Sequence, residues 1–362
     1  MSNPHFTIAW LPGDGIGPEV CAAAAKVLEA VCQKFHFTVT TKFGLVGGAA
    51  IEKTGKPLPP ATLKICQNSQ AILFGSVGGP KWDNLPPAQR PEIGALLPLR
   101  KKFDLFANLR PIKLEKILAA SSPLKPEIIG SGLDFLIVRE LTGDVYFGPK
   151  KLTKNFGSDQ MIYRKKEVER IARIAFTRAQ NRKQKVTNID KSNVLATSKF
   201  WRQIVTQIHQ TEFPKITLEH LYVDNAAMQI ISRPRDFDVI LASNLFGDIL
   251  SDEASQIAGS IGLAPSASLN ATNFGLFEPM GGSAPQIANQ DCANPLAQIR
   301  SLALLLEISL QQKKAAQAIE VAIQKTLKAG YRTPDIWQKG CRKIGTQKMA
   351  TQIQAAILKT KN

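Results

Sequence analysis

Two aspartates four residues apart, Asp248 and Asp252, lie in the run Asn244-Leu245-Phe246-Gly247-Asp248-Ile249-Leu250-Ser251-Asp252-Glu253. The run follows a short apolar strand, Val239 to Ala242, and should open a helix, so the spacing puts both carboxylates on one helix face. Hard carboxylate oxygens from two positions, with ligand oxygens and water, are what Mg2+ or Mn2+ prefers. The same pair would also complement the positive end of a helix, and the spacing alone leaves both readings open. Asp224, in Tyr222-Val223-Asp224-Asn225, offers a third ligand or an N-cap. Arg100, Arg110 and Arg139 read as loop or strand ends. Three converging guanidiniums would clamp a dicarboxylate in bidentate fashion, but spacing does not reveal convergence.

Two glycine-rich segments invite a cofactor. Gly13-Asp14-Gly15-Ile16-Gly17 follows an apolar strand, Phe6 to Leu11, and precedes a helix. Its spacing is G-x-G-x-G, and the next strand ends at Lys42-Phe43 without the acid that would hold a ribose, so the Rossmann fingerprint fails. A tight structural turn is the better reading of those glycines. Phe277-Glu278-Pro279-Met280-Gly281-Gly282-Ser283-Ala284-Pro285 reads as a loop too rich in Gly and Pro for a helix or central strand. Small residues there would let a flat ligand approach the backbone.

The elements that must position these residues alternate. Strands are expected at Phe6 to Leu11, Phe37 to Phe43, Ala71 to Phe74, Asp134 to Val138 and Val239 to Ala242. Helical periodicity follows Gly17, opens at Pro59-Pro60, and runs through Lys165 to Arg182 and Leu296 to Leu310. The class is therefore α/β. The longest irregular segments are Gly78 to Pro91 and Gly262 to Pro295, and loops of that length are usually functional.

A chain of 362 residues suggests two domains or one large α/β unit, and 44% hydrophobic with 21% charged residues excludes a disordered chain. The net charge of +17 is spread over runs at Lys150 to Lys154, Arg164 to Arg170 and Arg178 to Lys185, as on solvated helix faces. Charge alone supplies only non-specific phosphate affinity, so nucleic acid is not the expected partner. Five cysteines at wide, irregular spacing exclude zinc and dithiol motifs and suggest reduced thiols. The first eleven residues lack the pattern of a signal peptide, and Glu307 breaks the apolar stretch Leu302 to Leu310, so a cytoplasmic protein without membrane spans is expected.

Taken together, LPGDGIGPEV, GSVGGPKW, ALLPLRK, ANLRP, VRELTGDVYFG, IDKSNVL, YVDNAAMQ, SNLFGDILSDE, APSASL, FEPMGGSAP and ANPLAQI occur in the order found in one family. The chain resembles the β-decarboxylating isocitrate/isopropylmalate dehydrogenases nearly end to end. The resemblance is strongest to the branch that oxidises and decarboxylates 3-isopropylmalate to 4-methyl-2-oxopentanoate and CO2 in leucine biosynthesis. It implies the family's own fold, two α/β domains with an active-site cleft and no Rossmann unit. An outer domain would span 1–105 and 259–362, and a central domain, 106–258, would carry a dimer interface and an arm.

Carried over residue by residue, the resemblance implies that Arg100, Arg110 and Arg139 grip the malate carboxylates. Asp224, Asp248 and Asp252 would hold Mg2+ or Mn2+, with Asp224 also facing substrate, while Tyr146 and Lys191 would carry the proton transfers. Lys191 and Asp224 would act in the neighbouring subunit's site, which makes the catalytic unit a homodimer. Leu96, Leu97 and, across the dimer, Val194 would offer an alkyl pocket. Gly79, Glu92, Glu278, Gly282, Ser283, Ala284, Pro285, Gln286, Ile287 and Asn294 would surround NAD. The family usually has an acid where this chain has Gln286, the usual contact to the adenosine ribose, so the margin of NAD over NADP is expected to be narrow.

Overall fold

The computed structural model describes residues 3–359. Along the chain, β1 (His5–Gly13), β2 (Thr38–Phe43) and β3 (Ala71–Ser76) alternate with helices. They are followed by β4 (Ala107–Glu115), β5 (Gly132–Glu140), and a hairpin of β6 (Lys150–Leu152) with β7 (Gly157–Asp159). Next come β8 (Lys185–Asp190), β9 (Thr217–Tyr222) and β10 (Val239–Ala242), then β11 (Pro265–Leu269) and β12 (Gly275–Pro279), and finally a two-residue pair, β13 (Tyr331–Arg332) with β14 (Arg342–Lys343). The residues divide into two compact units with boundaries at 103/104 and 259/260. The terminal unit is built from both ends of the chain, and the central unit from the segment between.

In the terminal unit the strand order is β2-β1-β3-β12-β11, parallel except for the β12–β11 pair. Ile8, Ala9, Leu11 and Ile72 to Phe74 are buried, consistent with strands covered on both faces. The covering helices include Gly17–Phe35, Lys313–Lys328 and Thr346–Lys359, and Leu296–Ile308, which is buried almost all round. In the central unit the order is β4-β5-β10-β8-β9, with β4 antiparallel to β5 and the other pairs parallel. Helix Lys165–Gln180 buries Val168, Ile171, Ala172, Ala175, Phe176 and Ala179, the apolar stripe that its sequence period announces.

Three expectations need correcting. Gly262 to Pro295 is not one irregular segment, since it contains β11 and β12. Phe277-Glu278-Pro279 is strand, and central, because β12 pairs with both β3 and β11. The prolines are tolerated because Pro265 and Pro279 face each other at the strand ends, leaving Leu276 and Phe277 to fill the interior. Arg100 lies in a helix, Leu97–Lys102, and Arg110 within β4, rather than at loop or strand ends.

The Gly13-Asp14-Gly15-Ile16-Gly17 turn is held from inside. The Asp14 carboxylate, 5% exposed, accepts the backbone N–H groups of Gly48 (2.8 Å), Ala49 (2.7 Å) and Gly78 (2.8 Å). Gly13 and Gly15 have φ of +73° and +56°, and a Cβ on either would stand 1.9 Å from a carbonyl oxygen, of Ser76 and Ser283 respectively. Only glycine fits both the angle and the space.

All five cysteines are free, two buried and three half-buried. No helix among the described residues is long and apolar enough to cross a membrane. Asp14→Ala leaves two buried donors and one part-buried donor without their acceptor and is expected to cost about 3 kcal/mol or more. Urea unfolding of the variant against wild type measures this, and a loss well under 1 kcal/mol contradicts the role given to Asp14.

Candidate functional site

The antiparallel register of β4 and β5 sets Asn108 opposite Arg139, with Arg110 two residues along from Asn108. Strand alternation therefore puts Asn108, Arg110 and Arg139 on one face. Helix Asn244–Ile257 starts immediately after β10 and lies against that face. Gly247 permits the approach, since a Cβ there would meet the Arg139 side-chain stem at 2.8 Å.

One turn further, the Asp248 carboxylate gathers three side chains. It accepts hydrogen bonds from Arg139 Nη1 and from the Tyr146 hydroxyl (2.9 Å), and Arg110 Nη1 lies 3.5 Å away. Arg110 also reaches Asp252 (3.3 Å) and Ser251 Oγ (2.5 Å), and its Nε donates to Asn108 Oδ1 (2.8 Å). The arginine side chains are only 4% and 9% exposed for Arg139 and Arg110, whereas Asp252 is 62% exposed. Cations thus line the floor, and carboxylates stand above them at the surface.

Burial pushes the Asp252 carboxyl above the usual range, Arg110 pulls it back, and Asp248 adds to the rise. Burial likewise raises the Tyr146 phenol, and the neighbouring Asp248 charge reinforces it. That keeps the Tyr146 proton in place near neutral pH.

Lys191 and Asp224 form a second group in the central unit. Lys191 follows β8, and its Nζ donates to Asp224 Oδ1 at 2.6 Å. Buried Asp190 shapes the turn by accepting Ser192 N–H (2.9 Å) and two N–H groups of Arg202. Asp224 lies in the first turn of helix Val223–Ser232, where it is not the N-cap, and its side chain is 63% exposed. The hydrogen bond from Lys191 holds its carboxyl below the ordinary range.

The donor set suits a hard divalent cation. Asp248 and Asp252 present oxygens one turn apart, as expected from their spacing. Among the described residues no group of three His, Cys, Asp or Glu gathers to complete a site within one chain. Within one chain, Asp248 and Asp252 thus stand without a third such residue, and Asp224 is not gathered with them.

In the terminal unit, Arg100 is buried against Glu278, with Nη2 to Oε1 at 3.2 Å. The structure brings Arg110 and Arg139 together, while Arg100 belongs to this other unit with Glu278 as its partner. Leu96 and Leu97 are half-buried where the π-helical turn Glu92–Leu96 passes into helix Leu97–Lys102. They are not ordinary core. Val194, in the central unit, is exposed.

The terminal unit also contains a cavity of about 190 Å³. Of the expected cofactor residues, Gly282, Ala284, Ile287 and Asn294 line it; Gly79, Glu92, Glu278, Ser283, Pro285 and Gln286 do not. Ser283 instead ties the wall together, its hydroxyl donating to Gly78 O (2.7 Å) and its carbonyl accepting Ile16 N–H (2.8 Å).

Sequence reasoning missed Ile16, Gly262 and above all Asp335, the one acid in the lining. Asp335 accepts from Ser260 Oγ (2.6 Å), Asn294 Nδ2 (2.9 Å) and Thr333 Oγ1 (2.6 Å). The signal available was the Thr333-Pro334-Asp335 turn. A Cβ on Gly282 would meet nothing within 4 Å, so the backbone there borders open space that a flat ligand can fill. The residues present fit a nucleotide.

Residues 7–353 match the family model described as isocitrate/isopropylmalate dehydrogenase. The chain is 56% identical over 352 residues to the 3-isopropylmalate dehydrogenase of Escherichia coli (strain K12), covering 96% of each. It is 55% identical over 352 residues to that of Salmonella typhimurium, again covering 96% of each. Among solved structures it is similar to an isocitrate dehydrogenase from Methylococcus capsulatus (TM-score 0.86, 32% identity, 98% of this chain and 100% of that one). A β-decarboxylating dehydrogenase from Thermococcus kodakarensis gives a TM-score of 0.79 at 32% identity, with 97% and 96% covered.

Gly282→Val is expected to leave stability within about 0.5 kcal/mol, because its side chain enters open space. The same side chain would narrow the cavity, so the Kd of a nucleotide seated there, probed with NADH, should rise about tenfold or more, some 1.4 kcal/mol. Thermal unfolding and NADH fluorescence titration read the two quantities. Unchanged NADH affinity in a folded variant removes the nucleotide from this cavity.

Proposed function

Because the chain belongs to the isocitrate/isopropylmalate dehydrogenase family, we propose that it oxidises 3-isopropylmalate with NAD+ and Mg2+ or Mn2+ and decarboxylates the product to 4-methyl-2-oxopentanoate, a step of leucine biosynthesis. The observation that carries the reading is the pairing of two buried arginines with a half-buried aspartate, Asp248, and an exposed one, Asp252, a floor for carboxylates beside a seat for a divalent cation. The names of relatives 55–56% identical over almost the whole chain support the choice of substrate. Half-buried Leu96 and Leu97 suit an isopropyl group better than the third carboxylate of isocitrate, which would lose water there without a partner.

Arg110 and Arg139, with Arg100, hold the malate carboxylates, and Asp248 and Asp252 with Asp224 hold the cation. When bound, the metal lowers the pKa of the 2-hydroxyl and stabilises the developing charge on its oxygen, and the coenzyme accepts the hydride. Lys191, after passing its own proton to its carboxylate partner or to water, takes the hydroxyl proton as C2 becomes a ketone. The C3 carboxylate then leaves as CO2, its bonding pair passes into the enolate, and Tyr146 returns a proton to C3.

We further infer a homodimer in which Asp224 and Lys191 complete the partner's site. The exposure of Asp224 supports this, as do exposed Met228, Ile231 and Ile249 on two helices that pack together. Five unpaired cysteines suit a reducing, cytoplasmic setting.

The test is NAD+ reduction with 3-isopropylmalate, isocitrate and malate, with and without EDTA. We expect turnover on 3-isopropylmalate alone or far above the others, abolished by chelation. Lys191→Ala and Tyr146→Phe should bind substrate but lose kcat by about 100-fold or more, the usual worth of a positioned proton carrier. Full activity in EDTA, or a wild-type rate in Lys191→Ala, contradicts the mechanism.

Coenzyme choice gives a separate test. Gln286 can hydrogen-bond to the ribose hydroxyls but carries no charge to repel a 2′-phosphate. NAD+ should be preferred by a modest margin that Gln286→Asp widens. Comparing kcat/KM for both coenzymes decides it, and an unchanged ratio places control elsewhere.

A further inference from the structure

Behind Arg139 stands a residue with no assigned part. Asn244, 1% exposed, is the first residue of the helix that carries Asp248. Its Oδ1 accepts from Arg139 Nε (2.9 Å) and Nη2 (2.7 Å), and its Nδ2 donates to Gly143 O (3.2 Å). Its backbone N–H donates to the Tyr163 hydroxyl (2.9 Å), which donates onward to Asp144 Oδ2 (3.3 Å). Asp144 is fully buried, has a left-handed φ of 72°, and also accepts Leu245 N–H (3.1 Å). The guanidinium, the turn bearing Tyr146 and the start of the helix thus meet at one carboxamide.

A guanidinium offers its N–H groups in a rigid fork, so fixing one edge fixes the other. A neutral oxygen takes the Nε–Nη2 edge of Arg139, while Nη1 meets Asp248. With that neutral acceptor gone, the strongest arrangement open to Arg139 is a two-oxygen pair with Asp248. Such a pair would engage the oxygen that now accepts from Tyr146, and with it the carboxylate meant for a cation.

We propose that Asn244 is a positioning residue for substrate and metal capture, holding Arg139 edge-on so that a ligand carboxylate and a divalent cation are accepted side by side. The substrate half rests on the function proposed above; the metal half does not.

The test uses the purified full chain as wild type, Asn244→Ala and Tyr163→Phe. Mn2+ affinity is measured by titration calorimetry without substrate, and KM for 3-isopropylmalate and for NAD+ at steady state. In Asn244→Ala the Mn2+ Kd and the substrate KM should each rise about tenfold or more, with KM for NAD+ within about twofold because no residue of the Asn244 network lines the nucleotide cavity. Tyr163→Phe, which loosens Asn244 without touching Arg139, should move the same two constants by less. Unchanged Mn2+ Kd and substrate KM in a folded Asn244→Ala overturn the proposal, as does a parallel loss in all three constants, the mark of general damage. If Asn244→Ala does not fold, Tyr163→Phe decides by the same criteria. If wild type does not turn over 3-isopropylmalate, the functional reading fails while the Mn2+ measurement still judges Asn244.

Discussion

Taking a guanidinium out of water costs several kcal/mol unless its N–H groups are met in good geometry. The central unit does this twice within one strand face, for Arg139 and Arg110, and both depend on Asp248. That carboxylate can serve them only because helix Asn244–Ile257 begins directly after β10 and because Gly247 lets its first turn lie against the Arg139 stem. β10 is in turn held between β5 and β8. Sheet register, helix entry and charge pairing are therefore one constraint. The neutral partners, Asn108 and Asn244, matter as much as the ionic ones, because they satisfy donors without consuming positive charge.

Much of this was legible in the chain for a local reason. The i, i+4 spacing of Asp248 and Asp252 after a β-leaning run fixes a shared helix face, and the structure keeps that face. The apolar runs that became β1, β3, β5 and β10 were equally local, differing only in their ends. The failed Rossmann spacing correctly pointed to a structural turn, but not to the reason for its aspartate, whose three donors lie 34, 35 and 64 residues away. Asp335 was hidden likewise, since its partners Ser260 and Asn294 are 75 and 41 residues distant. Phe277-Glu278-Pro279 differs for another reason: proline breaks a strand only away from its ends, and Pro279 stands at the end of β12.

The terminal unit shows how little side-chain chemistry a binding cavity needs. Its wall is mostly apolar, with hydroxyl and amide groups anchored on Asp335 and backbone brought close by small residues. Cross-links between distant loops, such as Ser283 to Gly78 and Ile16 to Ser283, give the opening its shape before any ligand arrives. A mostly apolar wall suits the flat ring system of a nucleotide, whereas the charged floor of the central unit suits a small anion.

The order in which the units can form during synthesis follows from the way the chain leaves the terminal unit and returns. β3 is complete by residue 76, yet its neighbour β12 starts at residue 275, and the hydroxyl that clasps Gly78 comes from a serine 205 residues later. Closing so long a flexible loop costs about 5 kcal/mol of chain entropy. The central unit is contiguous, so on the ribosome it can fold before the last strands of the other unit have emerged. Once it has folded, the two chain ends it sends out are fixed by its own packing instead of wandering as a coil, and the closure becomes that of a much shorter loop. Until then β1, β2 and β3 wait with an open, apolar edge at β3. An unpaired edge of that kind can pair with a neighbouring chain until β12 arrives.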